Sequence, residues 1–257
     1  MSPQFRKRQE MRKGITHIDN SLGTGRLPAV ALVDTGIPGR TASLARRNRF
    51  RVQRNATFRV VRDRVAANGI THGSVCAEAI LRECCAVSLY GVRVFDSRHC
   101  CDPRMVASAI RWSLRHGIDI INLSLGTTST HYVRALEQAC DMAAAEGVIL
   151  VAPMKNREQV CYPACIPSVL SVIGVPTIAE HDLRLTGQKV PAIEGGIGIK
   201  VSSGRYYAGS SITCARVTGR IAQILYREGQ RIPVAAILAR LSSRRKTAKT
   251  RSPDNHR

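Results

Sequence analysis

The sequence predicts a doubly wound α/β fold, a mainly parallel sheet with helices on both faces. Three observations carry that prediction. Short apolar runs of strand length alternate along the chain with stretches of helical periodicity, the order that builds parallel strands joined by right-handed crossovers. The 257 residues are enough for one such domain with a substantial core. Apolar residues make up 44% of the chain but aromatics only 4%, so Ala, Val, Ile and Leu must fill that core.

In chain order, residues 1–27 are polar and basic and read as an arm. Residues 29–33 form a buried-strand run that ends at Asp34-Thr35-Gly36, and residues 57–61 read as a second, weaker strand. From 72 to 85, Cys76, Ala79 and Ile80 recur at helical spacing, and residues 87–94 read as a strand. Asp102-Pro103 marks a helix start: a capping carboxylate, then a proline where no N–H is needed. Val106, Ala109, Ile110 and Leu114 share a face of that helix. A strand over 118–123 precedes a helix over 130–146 that Gly147 closes, and residues 148–152 and 169–175 are further strands. A last apolar helix carries Ala215, Ile221, Ala222 and Leu225. The chain thus divides into a basic arm (1–27), one α/β domain (28–241) and a basic, disordered tail (242–257), with no internal repeat.

Composition narrows the function. The apolar runs are short and broken by charge, so no transmembrane span and no membrane partner are expected. Residues 1–14 are basic but lack the apolar core and small-residue cleavage site of a secretory signal, which leaves the cytoplasm as the expected location. Nine cysteines are an odd number, and they read as reduced, partly buried thiols rather than a disulfide framework. Cys161-x-x-x-Cys165 has no second ligand pair at zinc spacing, so no metal and no cofactor are expected.

The net charge is +21, with 39 Lys and Arg against 18 Asp and Glu. Such a charge favours anionic partners: nucleic acid, acidic peptide or a membrane surface. Nucleic acid is disfavoured, because no binding motif is present and aromatics for base stacking are scarce. Nine arginines lie between residues 40 and 64 with Asp63 as the single acid. That run reads as a solvated surface loop, or functionally as a guide for an acidic peptide.

In a sheet of this kind ligands collect beyond the carboxyl ends of the strands. Four groups stand there. Asp34 could orient an imidazole, or simply form a turn. His72, among the small neighbours of Thr71-His72-Gly73-Ser74, could act as a general base, or cap a helix. Asn156 could donate to a developing oxyanion, or serve as an ordinary loop residue. Ser211, in Gly209-Ser210-Ser211, meets the free N–H groups of a helix start, or is a plain capping serine.

Together, in the order Asp, His, Asn, Ser, these groups resemble the subtilisin-like serine peptidases, the subtilases. The resemblance runs over roughly residues 28–240. Val33-Asp34-Thr35-Gly36 matches the family's Asp motif, and His72-Gly73-Ser74-Val75-Cys76-Ala77 is similar to its His-Gly-Thr-x-Val-Ala. Ile121-Asn122-Leu123-Ser124-Leu125-Gly126 looks like its substrate-pairing strand, Tyr162-Pro163-Ala164 has its look, and Gly209-Ser210-Ser211 resembles its Gly-Thr-Ser.

The resemblance implies a peptide or protein substrate cut by acyl transfer. Ser211 would be the nucleophile, His72 the base, Asp34 its partner and Asn156 an oxyanion donor. Substrate would lie extended against Ser124, Leu125 and Gly126, and against residues 97–101. The chain departs from the family at Pro153-Met154-Lys155, where small residues and glycine are usual. Met154 and Lys155 would crowd or charge the pocket for the side chain before the cut; Lys155 either selects an acidic side chain or points to solvent. After Ser211 the run Ile212-Thr213-Cys214-Ala215 lacks the family's proline. The alternatives are an inactive peptide-binding protein of the same fold, or a basic nucleic-acid-binding protein.

Overall fold

The structure, a computed structural model, describes residues 26–37, 48–54, 58–64, 70–154, 159–180, 182–186 and 192–243. Strand β1 (Ala29–Asp34) is buried along its whole length, as a strand covered on both faces must be. Around it lie β2 (Arg49–Gln53), β3 (Arg59–Arg62), α1 (His72–Glu83), β4 (Ser88–Arg93), α2 (Pro103–Arg115), β5 (Ile120–Leu123), α3 (Val133–Ala145), β6 (Ile149–Met154) and β7 (Val169–Gly174). β8 (Leu183–Thr186), β9 (Ala192–Gly195), a small hairpin of β10 (Gly198–Lys200) and β11 (Tyr206–Ala208), α4 (Ser210–Glu228) and α5 (Val234–Ser243) complete the chain.

Among the described residues the main sheet has nine strands in the order β3-β2-β4-β1-β5-β6-β7-β9-β8. Neighbours run parallel except at the two edges, where β3 and β8 are antiparallel. The fold is therefore the doubly wound α/β class read from the sequence. Side-chain alternation along β1 divides the core. Val30 and Leu32 join Val75, Ile80, Ala215 and Ile221 on the α1–α4 face. Ala31 and Val33 join Val106, Ile110, Leu136 and Ala139 on the α2–α3 face. The chain runs outward from β1 to β4, then returns to the other side of β1 at β5. That reversal of strand order opens a crevice at the carboxyl ends of β1 and β5.

The opposite end of the sheet is bolted by one carboxylate. Asp119, just before β5, is 2% exposed. Its Oδ2 accepts from the Ala29 N–H at 2.8 Å, and its Oδ1 meets Arg26 at 2.5 Å and Arg231 Nε at 2.7 Å.

Where it is described, the basic run between 40 and 64 is largely strand rather than the loop expected from its charge. β3 matches the strand expected at 57–61. Residues 38–47 and 55–57 lie outside the described residues, but β2 and β3 pair there and extend the sheet. Phe50 and Val52 alternate with the arginines, and Phe50 packs on Trp112 with ring centroids 4.5 Å apart. Period-2 patterning outweighed charge. The strand expected at 148–152 runs on to Met154, because Pro153 and Met154 continue the pairing with β7. Residues 1–25 and 244–257, most of the expected arm and tail, lie outside the described residues, and α5 continues through Ser243.

Candidate active site

Asp34 closes β1 and is fully buried. A carboxylate removed from water needs partners, and it has them. Its Oδ1 accepts from the Thr35 N–H at 2.5 Å, and His72 Nδ1 lies 2.8 Å from Oδ2 and 3.0 Å from Oδ1. A carboxylate only accepts, so Nδ1 carries a proton whether the ring is charged or neutral, and Nε2 becomes the basic nitrogen once the ring is neutral. The His72 side chain is 43% exposed and opens onto the crevice.

The local sequence explains why these two groups meet. Thr71 and Ser74 form a capping box: the Ser74 N–H donates to Thr71 Oγ1 at 3.2 Å, and the Thr71 N–H donates to Ser74 Oγ at 3.0 Å. The same Thr71 Oγ1 donates to the Gly36 carbonyl at 3.0 Å, while the Gly73 N–H donates to Thr35 Oγ1 at 3.0 Å. The start of α1 is thus tied to the turn after β1. Gly73 permits the approach, since a Cβ there would collide with the Gly36 carbonyl oxygen.

The Asp34 hydrogen bond holds the His72 pKa well above its ordinary value; the Cys76 thiol adds to the rise, and burial opposes it. Cys76 lies one turn along α1, with Sγ 3.8 Å from His72 Nδ1. Burial pushes its own thiol pKa up to about 11. A buried cysteine on an apolar helix face reads in sequence as a small hydrophobe; the signal that could have found Cys76 is its i, i+4 spacing from His72 on the expected helix.

Ser211 is the second residue of α4. The N-cap is Gly209 at φ 143°, a conformation that side chains rarely adopt, and Ser210 Oγ accepts from the Gly174 N–H at 3.1 Å. The Ser211 carbonyl faces Ser124 Oγ at 3.5 Å and Cys76 Sγ at 4.0 Å. Asp34, His72 and Ser211, far apart in sequence, therefore converge, with Cys76 touching both His72 and Ser211. Asn156 and Lys155 lie outside the described residues.

Ser124 is buried, Leu125 half-buried and Gly126 exposed along the segment that leaves β5. A Cβ on Gly126 would stand 2.5 Å from Cys161 Sγ and 4.0 Å from the Pro153 carbonyl oxygen, so Cys161 borders the space between these segments. Pro153 is buried, and Met154 packs into the α2–α3 core. On the other side of the crevice, Asp96 Oδ1 accepts from the Arg98 and Cys100 N–H groups at 2.9 Å each and folds residues 96–100 into a turn. A cavity of about 380 Å³ beside His72 is lined by Thr35, Thr71, Phe95, Asp96 and Ser97.

Asp34, His72 and Cys76 also place a carboxylate oxygen, a ring nitrogen and a sulfur within 4.8 Å of one another, a donor set suited to a thiophilic divalent ion. No described helix is long and apolar enough to cross a membrane.

Known proteins share this arrangement of chain. Subtilisin E of Bacillus subtilis strain 168 is 28% identical over 224 residues, which cover 79% of this chain and 56% of that protein. Subtilisin DY of Bacillus licheniformis is 31% identical over 150 residues, covering 54% of each. The chain spans little more than half the length of these relatives. Two solved structures share the fold at a TM-score of 0.62. One is a lanthipeptide protease, 17% identical, with 83% of this chain and 78% of that one covered. The other is the epidermin leader peptide processing serine protease EpiP of Staphylococcus aureus, 19% identical, with 80% and 66% covered. The family model that matches residues 25–254, nearly the whole sequence, agrees with a sheet whose crevice gathers Asp34, His72 and Ser211: this chain belongs to the Subtilase family.

Proposed function

We propose that the chain is a serine endopeptidase in which Asp34, His72 and Ser211 form the triad and Asn156 is an oxyanion donor. The observation that supports this most directly is the 2.8 Å contact between His72 Nδ1 and the buried Asp34, at the crevice that the Ser211 helix enters. Ser211 Oγ attacks the scissile carbonyl carbon and its proton passes to His72 Nε2. Asp34 holds the imidazolium that results. The tetrahedral oxyanion accepts from the Ser211 N–H, at the positive end of α4, and from the Asn156 amide two residues beyond β6. Collapse breaks the C–N bond, and the leaving amine takes the proton from His72. Water, deprotonated by His72, then releases the acyl group from Ser211 as a carboxylic acid.

Substrate lies extended between Ser124, Leu125 and Gly126 on one side and residues 97–101 on the other, adding a strand to each. The pocket for the side chain before the cut lies where the chain leaves β6; the expected crowding by Met154 is not available to it, because Met154 packs into the α2–α3 core. The substrate is an acidic precursor peptide. A net charge of +21 favours an anionic partner, and one relative in fold is described as a leader peptide processing protease. A serine-directed fluorophosphonate tests the reading: it should label the protein and fail on Ser211→Ala. A folded parent that stays unlabelled overturns it.

A further inference from the structure

The crevice is floored by a buried polar knot whose hub is Asn122. Asn122 lies in β5, wholly buried, between apolar neighbours. An amide there must be satisfied by partners, and these come from two other places in the fold. Its Oδ1 accepts from Thr218 Oγ1 at 2.8 Å and faces Cys214 Sγ at 3.3 Å, both on α4. Its Nδ2 donates to Ser124 Oγ at 2.6 Å, and Ser124 Oγ in turn faces the Ser211 carbonyl at 3.5 Å. Cys76, which touches His72, reaches the same carbonyl. One amide thus links the helix of Ser211, the wall segment that starts at Ser124 and, through the Ser211 carbonyl, the helix of His72.

We infer that Asn122 is the positioning residue for Ser211, setting where the first turn of α4 stands relative to His72 and to the Ser124 wall. The inference rests on the peptidase reading. A satisfied polar network in an apolar interior specifies one arrangement, because any slip leaves a buried group unpaired. Apolar packing alone between α4 and β5 would tolerate a slide. Nucleophilic attack is less tolerant, since a displacement of about 1 Å can cost a factor of about 10².

The test is fluorophosphonate inactivation, resolved into its limiting rate kinact and its binding constant KI, together with kcat and KM on a peptide. It is run well below the unfolding temperature of each variant. Asn122→Ala should lower kinact and kcat by about 10–100-fold, with KI and KM within about twofold. Thr218→Val, which removes one bond from the hub and keeps the amide, should lower kinact by less. A folded Asn122→Ala protein with parental kinact overturns the inference and leaves the knot a purely structural feature. Should Asn122→Ala not fold, Thr218→Val decides, and parental kinact in it has the same meaning. A parent that never labels overturns the peptidase reading and this inference together. A labelled parent with an indifferent variant overturns this inference alone.

Discussion

Cys76 Sγ lies 3.8 Å from His72 Nδ1 and 4.0 Å from its Nε2. A thiophilic ion that replaced the thiol proton would bind Cys76 and His72 together and hold the base away from Ser211. Added Cd²⁺ should therefore stop peptide hydrolysis, with a cadmium–thiolate absorption band rising in step, and EDTA should restore it. In Cys76→Ala the band should vanish and the inhibitory concentration should rise by more than the roughly 10–100-fold that losing an outer partner costs. Equal inhibition of parent and variant would place the metal elsewhere.

The pH dependence has a definite sign. Asp34 raises the His72 pKa, so the free protein keeps its imidazolium at neutral pH and gains base as pH rises. Activity should climb into the alkaline range. Stability should run the other way: with the folded value above the unfolded value of about 6.5, the pair contributes fully below that pH and its contribution fades as pH rises through the folded value. A kcat/KM profile beside thermal melts over the same range reads both, and a maximum in activity on the acid side would contradict the assignment.

Asp119→Ala separates stability from chemistry. Arg26 and Arg231 are 62% and 37% exposed and can rehydrate, whereas the Ala29 N–H is left buried without its acceptor. The expected loss is about 1–3 kcal/mol, read by denaturant titration. Phosphonate labelling of the folded protein should be unchanged, because Asp119 lies at the end of the sheet opposite His72.

Gly73→Ala should cost both stability and chemistry. The added methyl collides with the Gly36 carbonyl oxygen and comes within 3.3 Å of Asp34 Oδ1. Relief must come from a shift of α1 against the turn after β1. Overpacking of this kind costs about 1–3 kcal/mol, and the labelling rate should fall by about 10² because His72 moves with α1. Parental labelling kinetics would show that the turn yields without moving the histidine.

Much of this was legible in the sequence because the informative residues stand beside strand ends, where local pattern marks them. Asp34 follows an apolar run, and His72 and Ser211 open helices; the structure joins Asp34 to His72 and sets the Ser211 carbonyl beside the same Cys76 that His72 touches. What the sequence hid was spatial. Asn122 finds Cys214 and Thr218 at separations of 92 and 96 residues, which no local window contains. β2 was masked by its arginines, although Phe50 and Val52 carried the alternation. Strands β8 to β11 are three or four residues each, too short for a period to register.

The two antiparallel edges give part of the excess charge a different meaning. β3 reads Arg-Val-Val-Arg, and β8 carries Arg184 beside the exposed Leu185. An open strand edge invites a strand from another molecule, and long cationic side chains on it are a recurrent deterrent. If arginine at these rims, which are edges among the described residues, keeps neighbouring copies from stacking edge to edge, neutralising Arg59, Arg62 and Arg184 should promote self-association while leaving the crevice intact. On this account part of the basic surface would guard against aggregation, independently of any substrate.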